Sequence, residues 1–213
     1  MIQATDRNSR SLNGGFSAIE LLVAVALIGV LSAIAIPQMI GQRRLLRTGA
    51  VTREIMTQLR YTRQLAMTQR QAFTFQYDDT NKQIVIIDHN ATGTAVLTDA
   101  SYPNNAGSTV ITTLPLTSGG LPSSELVYGV PSGLPTGALG DGVSKTSLSG
   151  GKVNITFQPD GSVIDTNGDP VDKSLYLYNS NAAQVTATAI SVVGAAGRIK
   201  VWRYDNNASK YAE

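Results

Sequence analysis

One long apolar run dominates the hydrophobic pattern of this chain. It covers the nineteen residues from Ala18 to Ile36 and carries a single charge, Glu20. As an α-helix it would be about 28 Å long, close to the roughly 30 Å hydrocarbon core of a bilayer. A helix on the surface of a globular domain would show a polar face, and a half-buried strand would alternate polar and apolar residues. The pattern therefore predicts a membrane-spanning helix.

Glu20 is the exception within this run. A carboxylate inside a membrane span costs about 2.5 kcal/mol or more, so it requires a partner or a place near the headgroups. The nearest basic residues, Arg10 and Arg43, lie outside the run. Two explanations remain open. Glu20 pairs with a positive group from elsewhere, such as a new amino terminus at Phe16, or its side chain reaches the membrane boundary.

The residues around this run resemble the type IV prepilin and pseudopilin signature. A short polar leader ends in Gly15, and Phe16, Glu20, an apolar helix and Pro37 follow. The resemblance implies cleavage after Gly15 by a prepilin peptidase and N-methylation of Phe16. It also implies that Glu20 guides assembly into a filament with other pilins, through an inner-membrane assembly platform.

The hydrophobic pattern and this resemblance together divide the chain into four parts. They are a leader (1–15), a transmembrane and assembly helix (16–37), an amphipathic second half of the helix (38–71) and a β-rich periplasmic domain (72–213). Residues 92–151 of that domain form an insertion rich in Gly, Ser, Thr and Pro, typical of loops. Pro37 and Gly29 are predicted to kink the helix, which extends from Ser17 to Gln71.

The second half of the helix is amphipathic. Its apolar stripe consists of Ile40, Val51, Ile55, Leu59, Thr62 and Ala66, which we expect to pack on a sheet. The other face carries Arg43, Arg44, Arg47, Arg53, Arg60, Arg63 and Arg70 against one acid, Glu54. These arginines either contact acidic neighbours in a filament and anionic lipid near Arg43–Arg47, or form a solvated face.

The rest of the chain has the alternation and turn residues of an antiparallel sheet. The predicted strands are Phe73–Tyr77 and Ile84–Ile87 (a hairpin), Val110–Leu116, Leu126–Val130, Val153–Phe157, Ser162–Ile164, Leu175–Tyr178, Ala187–Val193 and residues 198–204. The fold class is therefore α+β, a type IV pilin-like arrangement of a long N-terminal helix packed on antiparallel sheet. The only histidine, His89, is expected to lie on the surface without a role.

An acidic segment follows the predicted strand Ser162–Ile164. Asp165, Asn167, Asp169 and Asp172 place oxygen-bearing side chains close together in sequence, which suits a hard cation such as Ca²⁺. The spacing departs from the EF-hand loop, because the glycine comes early and no bidentate Glu follows. A calcium site and a plain Asx- and Gly-rich turn both remain open.

The C-terminal strand is basic. Arg198, Lys200 and Trp202 share one face of it, and Arg203 lies on the other. Together with the Phe157–Gly161 turn, this ending resembles the GspH/FimT branch of minor pseudopilins and pilins. Some members of that branch bind DNA, which implies phosphate contacts by the basic residues and base stacking by Trp202. A closing strand with solvated charges is the alternative.

Composition narrows the function classes. The chain has 213 residues, one His and a net charge of +2. It has no Cys, which excludes disulfides, thiolate catalysis and Cys-bound metal. We therefore expect no enzyme and no cofactor other than calcium. The resemblance implies a minor pseudopilin of the type II secretion system, anchored in the inner membrane. Its alternative is a minor type IV pilin that binds DNA for natural transformation.

Overall fold

A long N-terminal helix and antiparallel strands form the structure, as the sequence predicts. The computed structural model describes residues 17–92, 108–165 and 169–213. Helix α1 covers Ala18–Gln69. It ends there because Arg70 adopts a left-handed φ of 53°, which stops the helical backbone. The predicted end at Gln71 is therefore wrong, since Gln71 is the first residue of the next strand.

The remaining elements are a short helix, α2, and strands that form two sheets, and every strand pair between described residues is antiparallel. They are β1 (Gln71–Asp78), β2 (Gln83–Thr92), β3 (Thr109–Pro115), β4 (Leu126–Tyr128), β5 (Lys152–Phe157), β6 (Lys173–Asn179), α2 (Ala183–Thr186), β7 (Thr188–Val193), β8 (Arg198–Asp205) and β9 (Lys210–Ala212). One sheet has the order β3-β2-β1-β5 and the other β4-β6-β7-β8-β9.

The chain divides into two compact units, one ending at Ile40 and the other covering Gly41–Glu213. In the second unit, the buried helix residues are Thr48, Val51, Thr52, Ile55, Leu59, Thr62 and Ala66. The predicted stripe is confirmed from Val51 onward, but Ile40 is 47% exposed and does not belong to it. Thr48 and Thr52 enter the core because their hydroxyls donate to the carbonyls four residues earlier, both at 3.0 Å.

The core of the second unit lies between the helix stripe and apolar side chains of both sheets. The strands supply, among others, Phe73, Phe75, Tyr77, Ile84, Ile86, Ile155, Phe157, Leu175, Leu177 and Ile190. The predicted hairpin is confirmed, with the Asp78 carboxylate accepting hydrogen bonds from the backbone of Thr80 and Asn81 at 3.0 Å each. Each fully buried apolar side chain of this size contributes about 1.5–3 kcal/mol to folding.

Three local features differ from the predicted strands. Ser162–Ile164 forms no strand, because Val163 and Ile164 each make one isolated bridge, to Phe157 and to Pro170. Helix α2 and strand β9 were not predicted, since each is too short to show a period in the sequence. The two apolar segments of the insertion do form strands, β3 and β4.

Candidate functional site

The first turn of α1 holds the only acidic residue of the apolar run. Ser17 precedes the helix and caps its start, because its hydroxyl accepts a hydrogen bond from the Ile19 N–H at 3.2 Å. Glu20 lies in this first turn, where the positive end of the helix dipole favours a carboxylate. Its side chain is exposed, and the ion pairs between described residues do not include it. Gly15 and Phe16 lie outside the described residues.

The apolar part of α1 is exposed on all sides within the chain. Large side chains such as Ile19, Leu22 and Leu31 have about two thirds or more of their surface exposed, at 72%, 68% and 66%. Among the described residues, this helix is the one that is long and apolar enough to cross a membrane. Exposed apolar surface of this extent requires lipid or another protein to cover it. The helix continues through Gly29 and Pro37, where the kink stays a prediction.

The arginine-rich face of α1 is only partly solvated. Arg63 uses two of its guanidinium nitrogens, with Nε donating to the Gly161 carbonyl at 3.2 Å and a terminal nitrogen to the Ala196 carbonyl at 3.0 Å. Arg44 donates to the Asn181 carbonyl at 3.4 Å. For these two residues the solvated-face interpretation is wrong, because they join the helix to loops of the globular unit.

Two glycine turns meet at Arg63. Gly197 has a φ of 56°, and a Cβ there would lie 1.9 Å from the Gly161 carbonyl oxygen and 2.6 Å from Arg63 Nε. A Cβ at Gly161 would lie 2.9 Å from Met67 Sδ. The turn after β5 and the turn before β8 therefore approach the helix at a distance that only glycine allows. The sequence indicates the Phe157–Gly161 turn and places Arg63 on the arginine-rich face of the helix, but no pattern in it shows that the two are in contact.

His89 is buried, so the expectation of a surface residue is wrong. It lies within β2 and is 4% exposed. Its Nε2 lies 2.7 Å from the Thr74 hydroxyl and its Nδ1 lies 2.9 Å from the Ser108 hydroxyl. Burial lowers the pKa of His89, and the charge of Asp88 opposes this in part. The imidazole is therefore a neutral member of a polar network on the sheet.

Trp202 does not offer a stacking surface. Its side chain is 6% exposed, and its indole N–H donates to the Ser191 hydroxyl at 2.8 Å. Gly140 covers the ring so closely that a Cβ there would lie 2.9 Å from the indole. The predicted base-stacking role of Trp202 is therefore wrong in this conformation, because sheet and loop enclose the ring.

The basic residues of β8 do not form one continuous surface. The Lys200 ammonium pairs with the carboxylate of Glu213 and lies 5.3 Å from the centroid of the Trp202 ring. Arg198 and Arg203 are both exposed, but the alternation of the strand places them on opposite faces. Phosphate contacts by these residues stay a prediction.

The acidic segment forms a turn in the part that the structure describes. The Asp165 carboxylate accepts a hydrogen bond from the Asp169 N–H at 3.0 Å, and the Asp172 carboxylate accepts one from the Gly194 N–H at 2.8 Å. In the described ranges, no three carboxylate or imidazole side chains form a group that would hold a metal ion. Asn167 lies outside the described residues, so calcium binding stays a prediction.

Comparison with known proteins gives two structural neighbours. No protein-family model matches the chain, and no curated protein is significantly similar to it. Two crystal structures of the type IV minor pilin FimU from Pseudomonas aeruginosa (strain PAO1), in space groups P21 and P65, are similar at 17% and 18% identity, with TM-scores of 0.43 and 0.42. The alignments cover 78% of this chain and 92% and 97% of FimU. Similarity this low supports no conclusion about the function of this chain.

Proposed function

We propose that this protein is a structural subunit of a type IV pilin-like filament, specifically a minor pseudopilin of the type II secretion system. The observation that supports this most is the exposed apolar helix, which carries Glu20 in its first turn and continues into a globular unit. A membrane anchor alone does not require an acid within the apolar run, whereas assembly of helices into a filament gives that acid a partner.

In this proposal a prepilin peptidase cuts after Gly15 and leaves Phe16 as an N-methylated amino terminus. The positive amine then pairs with Glu20 of the same or a neighbouring subunit. Pairing matters because two opposite charges that enter an apolar filament core separately would each lose hydration without compensation. The apolar helix holds the subunit in the inner membrane until an assembly platform adds it to the filament, with residues 41–213 in the periplasm.

A structural role also suits the chemistry of the globular unit. The only histidine, His89, is buried and hydrogen-bonded, and the sequence has no cysteine. In the described residues the acids Asp78 and Asp160 hold turns through hydrogen bonds to nearby backbone N–H groups. These groups stabilise the fold and are not positioned for acid–base or nucleophilic chemistry.

DNA binding as a minor type IV pilin is the second candidate, and the exposed Arg198 is the observation that favours it. The buried Trp202 and the pairing of Lys200 with Glu213 weaken it. A gel-shift experiment with the full chain in detergent tests this candidate. Salt-sensitive binding that disappears in an R198A variant would support it, and no binding at low salt would exclude it.

Substitution of Glu20 tests the proposal. The Glu20→Gln variant should insert into the inner membrane at the wild-type level but fail to enter filaments, because the amine of Phe16 loses its counter-charge. Glu54→Gln is the matched control, since Glu54 lies on the same helix but outside the apolar run, where its carboxylate accepts a hydrogen bond from the Gln58 side-chain amide at 3.0 Å. Normal incorporation of the Glu20→Gln variant would contradict the proposal.

A further inference from the structure

A groove of about 600 Å³ lies in the globular unit between α1 and the turn that joins β7 to β8. One wall is the helix from Arg60 to Thr68, and the other consists of residues 196–199. Arg63 joins the two walls, because its guanidinium donates to the Gly161 and Ala196 carbonyls at 3.2 and 3.0 Å. The groove is therefore a fixed part of the fold.

The groove is positively charged. Arg60 on the helix and Arg198 at the start of β8 are both exposed, and they line opposite walls. Among the described residues, neither arginine makes a side-chain hydrogen bond or ion pair, and no carboxylate lines the groove. Met67, which is 39% exposed, and the half-buried Ile199 add apolar surface to the lining. The groove therefore suits an anionic partner.

The lining favours a protein carboxylate over a nucleic acid. Proteins bind single-stranded nucleic acids through aromatic rings that stack on the bases as well as through cations. None of the described residues that line the groove is aromatic, and Trp202 of the same strand is buried beneath Gly140. A DNA duplex requires many phosphate contacts, and two available arginines supply few of them. Carboxylates on a protein surface are therefore the better match.

The chain itself carries such carboxylates next to the groove, on the acidic pair Asp169 and Asp172. Both residues are exposed. Within the described ranges the Asp169 carboxylate has no partner, and that of Asp172 accepts the Gly194 N–H at 2.8 Å. Gly194 begins the turn whose later residues, 196–198, line the groove. The acidic pair and the groove are therefore neighbours that do not pair with each other within one chain.

Neighbouring patches of opposite charge are self-complementary. When two copies face each other about a two-fold axis, the groove of each copy meets the acidic pair of the other. Each of these contacts brings Arg60 and Arg198 to Asp169 and Asp172, so the charges balance. A two-fold contact closes after two copies and cannot extend into a filament. It therefore belongs to subunits outside a filament.

We infer that the groove binds the acidic pair of a second copy of this chain, so that two subunits form a two-fold dimer. The inference goes beyond the proposed function, because it concerns residues 41–213 and requires neither cleavage after Gly15 nor filament assembly. A chain that never enters a filament would contradict the filament proposal and leave the dimer intact.

Disulfide cross-linking of the purified full chain in detergent tests the dimer, because the sequence has no cysteine and each variant then has one thiol. Ala195 is exposed and lies between Gly194 and the groove-lining residues, so Ala195→Cys places its thiol near the two-fold axis. Ala208→Cys is the matched control, since Ala208 is exposed in the turn between β8 and β9. Under mild oxidation, Ala195→Cys should form covalent dimers about tenfold faster than the control, because the contact raises the local thiol concentration. Equal rates would overturn the inference.

Charge reversal identifies the groups that make the contact. In the Ala195→Cys background, R60E/R198E and D169K should each slow cross-linking about fivefold or more, because repulsion replaces attraction. An equimolar mixture of these two variants should restore the rate, since each reversed surface then meets one of opposite charge. R53E/R203E is the matched control, because it reverses two exposed arginines of the same helix and strand outside the groove.

The substituted positions are all exposed, so these variants should keep the wild-type Tm. Cross-linking should also slow as the ionic strength rises from about 0.05 to 0.5 M, because salt screens exposed ion pairs. An unchanged rate in R60E/R198E, or an equal loss in R53E/R203E, would overturn the inference. So would a thymidine oligonucleotide of about ten nucleotides that binds through Arg60 and Arg198 and prevents cross-linking, which would assign the groove to a nucleic acid.

Discussion

Replacement of Gly197 by alanine tests the contact between the two glycine turns and Arg63. The new methyl group would lie 1.9 Å from the Gly161 carbonyl oxygen and 2.6 Å from Arg63 Nε, so these groups must separate. Gly150 provides a matched control, because it has the same φ of 56° and a Cβ there meets nothing within 4 Å. Both variants carry the same backbone strain, and only Gly197→Ala disturbs the contact.

The expected losses of stability follow from the backbone strain, which both variants share, and from the contact with Arg63, which only Gly197→Ala disturbs. An alanine in the left-handed region costs about 1 kcal/mol, which is the whole expected effect of Gly150→Ala. Gly197→Ala also breaks the hydrogen bond from Arg63 to the Gly161 carbonyl, and a bond to a charged group contributes about 1.5–3 kcal/mol. The free energy of unfolding should therefore fall by about 3 kcal/mol, or about 6–12 °C in Tm for a unit of this size.

Thermal unfolding of the full chain in detergent measures the difference. Trp202 is the only tryptophan and is buried, so its fluorescence follows the unfolding of the globular unit. The Tm of Gly150→Ala should fall by about 2–4 °C and that of Gly197→Ala by at least twice as much. Equal shifts in the two variants would show that the contact with Arg63 contributes nothing to stability.

Three further predictions concern single positions. The lowered pKa of His89 means that the unfolded state binds its proton at higher pH than the folded state, so stability is complete above about pH 6.5 and is lost as the pH falls below it. The Tm of the wild type should therefore fall between neutral pH and pH 5 more steeply than that of His89→Gln, and parallel curves would contradict this. Arg70→Gly should raise the free energy of unfolding by about 0.5–1 kcal/mol, because glycine adopts the left-handed φ at the helix end without strain; a lower Tm would refute it. Ser191→Ala should lower the free energy of unfolding by about 1–3 kcal/mol, because the buried indole N–H of Trp202 loses its hydrogen-bond partner. An unchanged Tm would contradict this prediction.

Periodicity predicted those elements whose side chains alternate or repeat over several turns. The stripe from Val51 to Ala66 and the hairpin around Phe73 and Tyr77 agree with the structure for this reason. In both cases, a run of residues in one segment determines which side faces the core. The polar Thr48 and Thr52 were missed, because a sequence pattern does not show that a hydroxyl will bond to its own helix.

The contacts of individual polar residues were not predictable in the same way. Arg63 reaches carbonyl groups 98 and 133 residues later in the chain, so the packing of two turns decides its role. His89 and Trp202 likewise depend on other segments of the chain, because Ser108 lies beside the imidazole and Gly140 covers the indole ring. For such residues the type of side chain indicates a possible chemistry, and only the tertiary structure decides whether the group is accessible.

The N-terminal residue and intact mass of the protein, purified from membranes of its native host, test the central claim most directly. The filament proposal predicts a chain that begins at Phe16 and carries one additional methyl group. A chain that keeps residues 1–15 in cells with an active prepilin peptidase would contradict it, and Glu20 would then be a charge on an ordinary membrane anchor.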